Sequence, residues 1–166
     1  MIKVLKAGFH TSIQDKGRIG FASIGVPVSV AIDSYAADLA NYMLNNSLDA
    51  AVLEIMFGGC SLQFLSATFI CISGANFSPK INDKSIPLNS RIKVTENDIL
   101  SFGKINYGAR CYVSVKGGFL NQEVLKSRSF YKNITPKPLL EKDDVLEIET
   151  FKNALEMPNS SLKVVN

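Results

Sequence analysis

"TFICIS", residues 68–73, is the stretch whose reading decides the fold. It is nearly continuous in apolar and β-branched side chains, which suits a strand buried on both faces. The run "RCYVSV" (110–115) alternates instead: Cys111, Val113 and Val115 face one side, Arg110, Tyr112 and Ser114 the other. Working outward, "IKVLKA" (2–7), "VLEIMF" (52–57), "SLQFL" (61–65), "RIKV" (91–94), "ILSFG" (99–103) and "VLEIE" (145–149) are further strand-like runs bounded by turn residues. "PKINDKSIPL" (79–88) reads as a hairpin with Asn82 and Asp83 at its turn.

One segment has a helical period. In "DSYAADLANYMLNN" (33–46), Tyr35, Ala36, Leu39, Ala40, Met43 and Leu44 recur at the i, i+3, i+4 spacing. Asp33 or Ser34 is a natural N-cap, and Asn45 and Asn46 are natural terminators. Many short strands with one main helix predict a mainly β domain, a closed or partly closed barrel. The tail 151–166 behaves differently, since a Pro-Asn-Ser-Ser break precedes a fresh strand-like "LKVV". It reads as the lead into a second unit, leaving 1–150 as one domain.

Bulk properties remove several function classes. The 166 residues carry a net charge of only +3, and Lys and Arg are scattered without a basic block, which argues against nucleic-acid binding. No run approaches the roughly 20 apolar residues of a membrane-spanning helix, and "MIKVLKAGFH" lacks a signal-peptide core. Cys60, Cys71 and Cys111 form no C-x-x-C pair, and Cys71 and Cys111 sit inside strand-like runs, so they read as reduced, buried thiols of a cytoplasmic protein. The single histidine, His10, offers no metal cluster.

The segment 11–33, "TSIQDKGRIGFASIGVPVSVAID", is too long for an ordinary connection, and long loops are commonly functional. Ile13, Ile19, Phe21, Ile24, Val26 and Val28 give it apolar anchors that a disordered stretch lacks. It reads as the wall of a site.

These residues also carry a family resemblance. "TSIQDKGRIGF", "GVPVSVAID", "LANYMLNN", "LEIMFGG", "ISGANF", "GARCYVSVKGGF" and "SRS" stand in the order found in the carboxyltransferase-like family, which takes in allophanate hydrolase subunit 2, KipA and the C-type component of 5-oxoprolinase. The resemblance spans residues 2–150. It implies a cyclophilin-like β-barrel, two such halves per full-length member, and a KipI-type partner. It further implies an ATP-dependent 5-oxoprolinase, opening 5-oxoproline to glutamate with a third component of the LamB/YcsF type. The family's other activities are the carboxyltransferase part of biotin-dependent urea carboxylase and KipA-like regulatory binding. Val30 stands where members usually have Gly, Asp83-Lys84 where they have Asp-Gly, and Lys126 where they have Gly. The family's second half, with its Gln-Thr-Thr-Gly-Gly-Tyr segment, is not matched, so the chain is expected to be a half-length piece or a truncated member.

Individual polar residues admit two readings each. Asp15 is an acceptor or base, or the closure of an Asx turn; Arg18 is a fork for a carboxylate or phosphate, or its surface brace. Asp33 reads as a helix cap before a catalyst. Glu54 faces away from Leu53 and Ile55, and if buried it needs a partner such as Arg110. The glycines of "SGAN" (73–76) and "KGGF" (116–119) suit either backbone approach to an oxyanion or ordinary turns. In "KSRSF" (126–130), Arg128 can fork onto the carboxylate of 5-oxoproline, flanked by the hydroxyls of Ser127 and Ser129. The resulting candidates are Asp15, Arg18 and Arg110 for catalysis, and Gln14, Ser127, Arg128 and Ser129 for substrate binding. ATP is implied by the resemblance alone: there is no P-loop pattern, so its phosphates are expected across subunits or on the partner. A Met-Lys-Met biotin attachment motif is also absent.

Overall fold

Two antiparallel sheets face one another in the computed structural model, which describes residues 1–151 and 158–162. In chain order the strands are β1 (Ile2–Ala7), β2 (His10–Gln14), β3 (Val52–Met56), β4 (Cys60–Phe64), β5 (Thr68–Asn76), β6 (Lys80–Ile81), β7 (Lys84–Ser85), β8 (Ile92–Val94), β9 (Ile99–Ser101), β10 (Tyr107–Val115) and β11 (Val145–Leu146). One sheet runs β11-β1-β4-β9-β6-β7 and the other β2-β3-β10-β5-β8. Among the described residues, no continuous ladder joins the two into a closed barrel. The mainly β architecture with one main helix is the one the sequence predicts.

The core lies between the sheets. Ile70 and Ile72 of β5, Val113 and Val115 of β10, and Leu53 and Ile55 of β3 meet Ile2, Val4, Leu62 and Phe64 of the opposite sheet. The helix α1 (Ser34–Met43) covers the other face of β5 and β10. There Ala40, Met43 and Leu44 bury Phe69 and Cys71. This two-sided cover is the reason for the uninterrupted apolar run 68–73.

Local signals behave as their chemistry dictates. The Asp33 carboxylate accepts from the Ala36 N–H at 3.0 Å and caps α1. Asn45, at φ 51°, carries the chain out of the helix in the left-handed region. Asn82 and Asp83, both at positive φ, form the β6–β7 turn. Burial pushes the Cys60 and Cys71 thiols up to about 12, and raises Cys111 further with Cys60 beside it.

Some boundaries differ from expectation. Residues 10–14 are strand rather than loop, because Thr11 and Ile13 point inward beside β3 while Ser12 between them points away. The expected strand 145–149 is pared to Val145–Leu146 plus a bridge from Ile148 to Phe119. In the tail, Ser161 bridges to Ser90. Most of the expected "LKVV" strand lies outside the described residues.

Candidate functional site

The sheet β2-β3-β10-β5 carries its polar side chains on the face away from the core. Its register sets Ser12, Glu54, Tyr112 and Ser73 side by side across four strands. His10, Met56 and Arg110 form the neighbouring row. Glu54 is only 4% exposed, so its charge needs compensation. Its Oε2 accepts from the Tyr112 hydroxyl at 2.8 Å and the Ile32 N–H at 3.1 Å, and its Oε1 lies 3.4 Å from Arg110 Nε. The Tyr112 hydroxyl in turn accepts from the Asp33 N–H at 2.8 Å. Burial raises the Tyr112 pKa, and the Glu54 charge adds to the rise, so this phenol stays protonated and donating. Glu54 and Tyr112 thereby fasten the end of the 11–33 segment and the start of α1 to the sheet.

Arg110 remains reachable, its side chain 27% exposed. Two clefts meet at it. One, of about 510 Å³, is lined by His10, Ser12, Gln14, Glu54 and Tyr131 among others; the second, of about 460 Å³, runs past Asp33, Tyr35, Ser73, Asn89 and Tyr107. Ile32 borders both. Among the described residues, the terminal nitrogens of Arg110 find only the Met56 sulfur, at 3.7 Å. A guanidinium ion-paired to a buried carboxylate, on a residue that lines two clefts, is suited to binding an oxyanion.

The remaining candidates come together elsewhere, in a knot. Asp15 Oδ1 accepts from the Ser127 hydroxyl at 2.6 Å, the Ser129 hydroxyl at 2.8 Å and the Gly17 N–H at 2.7 Å. Its Oδ2 accepts from the Arg128 N–H at 2.6 Å. Arg18 is completely buried and donates to the Ser129 carbonyl, while its Nε and Nη1 have no partner among the described residues. Burial lowers the Arg18 pKa, against the pull of Asp15. Gly17 is required here, since a Cβ would stand 2.3 Å from the Val28 carbonyl oxygen where the two legs of the loop meet. The Asx-turn reading of Asp15 therefore holds, and the brace of Arg18 is internal rather than on the surface.

Arg128 lies apart from both clefts. Its guanidinium donates to the Asn121 carbonyl and stands 3.8 Å from Glu123. Gln14 lines the larger cleft and donates to Ser12 at 2.9 Å. Sequence reasoning placed Arg110 and Tyr112 on one face but missed Tyr112, Tyr107, Ser73 and Asn89 as site residues. Their roles depend on cross-strand register, and the alternation of "RCYVSV" was the one signal available.

The chain is thus a mainly β domain of two antiparallel sheets, with Arg110 where two open clefts meet. The chain is a member of the family described as carboxyltransferase domain, subdomain A and B, whose model matches residues 24–164. It is 38% identical over 130 residues to the urea amidolyase of Lachancea kluyveri, covering 78% of this chain and 7% of that protein. It is 30% identical over 118 residues to the C-type component of the Escherichia coli 5-oxoprolinase, covering 71% of this chain and 38% of that protein. The chain thus spans well under half the length of these relatives. Among solved structures, the Kluyveromyces lactis urea carboxylase aligns with a TM-score of 0.80 at 40% identity, over 87% of this chain and 13% of that one. The protein TTHA0988 aligns with a TM-score of 0.90 over 99% of this chain and 62% of that one, a likeness of fold at 24% identity.

Proposed function

We propose that the chain works as part of an ATP-dependent 5-oxoprolinase, inactive alone, with a KipI-type partner and a third component of the LamB/YcsF type. The observation that carries this reading is Arg110, a reachable guanidinium backed by Glu54 where two clefts meet. A small acid such as 5-oxoproline presents a carboxylate to it. Likeness to the C-type 5-oxoprolinase components of two bacteria supports the assignment.

In this reading Arg110 anchors the substrate carboxylate, and Glu54 and Tyr112 hold Arg110 and the loop in place. Gln14 borders the substrate space. Asp15, Arg18, Ser127 and Ser129 are positioning residues: their knot fixes the 11–33 wall against the segment 127–130. Arg128 steadies that segment through Asn121 and Glu123. ATP supplies the phosphoryl group that activates the lactam carbonyl for attack by water, and we assign the nucleotide to the partner proteins.

Reconstitution with the two partner types tests this. Glutamate formation from 5-oxoproline, coupled to ATP hydrolysis, is the expected result. A second reading, carboxyl transfer to urea from a biotin carried by a partner, draws on the higher identity to the yeast proteins. Urea-dependent ATP hydrolysis in the presence of a biotinylated carrier, with none on 5-oxoproline, would replace the first reading by the second. Stable association with a KipI-type protein and turnover of neither substrate would leave KipA-like regulatory binding.

A further inference from the structure

A cavity of about 190 Å³ that Arg110 does not line lies behind the segment 130–140. That segment is pinned to the edge strand β2 at both ends. The Phe130 N–H donates to the Ile13 carbonyl and the Leu140 N–H to the Thr11 carbonyl, each at 2.8 Å. Between the pins its residues divide. Tyr131, Lys132, Pro138 and Leu139 line the cleft of about 510 Å³, whereas Thr135, Pro136 and Lys137 line the smaller cavity together with Leu140. Phe130 borders both spaces. Val145 and Leu146 of the edge strand β11 close the cavity on another side.

One polar atom on its lining residues is left open. Asn121 donates its side-chain N–H to the Arg128 carbonyl at 2.9 Å, while its Oδ1 is buried and receives no donor among the described residues. The polar groups around it are committed. The Thr135 hydroxyl accepts from the Tyr131 N–H at 2.9 Å and donates to the Lys137 carbonyl at 2.8 Å. Asp144 accepts from Lys137 Nζ at 2.5 Å and from the Glu141 N–H at 2.8 Å. A buried water ordinarily makes about three hydrogen bonds, and between these walls it would find one free acceptor. Buried polar groups are normally satisfied, so the Asn121 oxygen calls for a ligand that brings a single donor.

We propose that this cavity is a second ligand site, which takes a compact, uncharged, mainly apolar molecule carrying one N–H or O–H donor. The donor meets Asn121 Oδ1 after a small turn of that amide, whose terminal torsion is soft. The apolar body packs on Phe130, Leu140 and Leu146. Lys137 and Asp144 neutralise one another, so a charged ligand gains no free counter-ion and loses its hydration against apolar walls. An apolar cavity of about 150 Å³ holds benzene, so this one has room for a ring and one polar group. The site differs from Arg110 in place and in chemistry, and it does not rest on the 5-oxoproline reading. Its ligand lies on the back of the wall that bounds the larger cleft.

Calorimetric titration of the full chain with phenol, toluene and benzoate at neutral pH tests the site. Phenol should bind at least about threefold more tightly than toluene, which keeps the ring and lacks the donor. Benzoate, being charged, should bind at least about tenfold more weakly than phenol. Asn121→Ala should bring phenol down to the level of toluene. Val145→Trp and Gln122→Trp replace exposed lining residues by a ring that fills the cavity, and each should abolish phenol binding. The two positions lie on different segments, so one remains informative if the other disturbs β11. Tyr107→Ala, in the cleft of about 460 Å³, should leave phenol binding unchanged. Absence of phenol binding to wild type overturns the proposal and leaves the cavity to water. Phenol binding that survives both tryptophan variants also overturns it, as does equal affinity for phenol and toluene.

Discussion

Asp15 shows how a polar motif divides between structure and chemistry. Its carboxylate takes four donors, two of them hydroxyls of the distant Ser127 and Ser129. Removing it strands those donors and takes away the negative charge that acts on the buried Arg18, and breaking such a network costs about 2–4 kcal/mol. Asp15→Ala should therefore lower unfolding stability by about that amount in urea denaturation, whereas Arg128→Ala, at a half-exposed site, should cost under about 1 kcal/mol. The residue types of the motif were legible in the sequence. Their mutual engagement was not, because the partners lie more than a hundred positions apart and only the fold brings them together. Glu54 is the opposite case: its partner Arg110 was named from alternation and the cost of burying a lone charge, and the two stand 3.4 Å apart.

At the scale of elements, the strands with the strongest patterns were the most legible, and their ends the least. "TFICIS" and "RCYVSV" became β5 and β10, but both strands extend further because the bulge near Gly108 has no hydrophobic signature. Strand β2 hid at the start of the long 11–33 stretch, because Ile13 is its one strongly apolar residue. The turn chemistry was clearer, and it yields two predictions. Asp33→Ala removes the cap of α1 and should cost about 1 kcal/mol by chemical denaturation. Asp83→Gly relaxes a left-handed residue at φ 66° in the β6–β7 turn. It should stabilise by a few tenths of a kcal/mol, up to about 1 kcal/mol.

For the molecule as a whole, the two-sheet core sets an alkaline limit. Burial raises the thiols of Cys60, Cys71 and Cys111 and the phenol of Tyr112 above their unfolded values. Their contribution is fully present below about pH 8.5, where an unfolded thiol is protonated, and is lost as pH rises toward the folded values. Stability should then fall steadily above about pH 9, and Cys111→Ala should flatten that fall whatever it does to stability at about pH 7. The central claim, however, is that Arg110 rather than Arg128 receives the substrate carboxylate. Steady-state kinetics of the reconstituted complex on 5-oxoproline, comparing Arg110→Ala with Arg128→Ala, tests it most directly. Loss of a charge-assisted anchor predicts a KM raised at least about tenfold for Arg110→Ala, with Arg128→Ala close to wild type. A raised KM for Arg128→Ala beside unchanged kinetics for Arg110→Ala would contradict it.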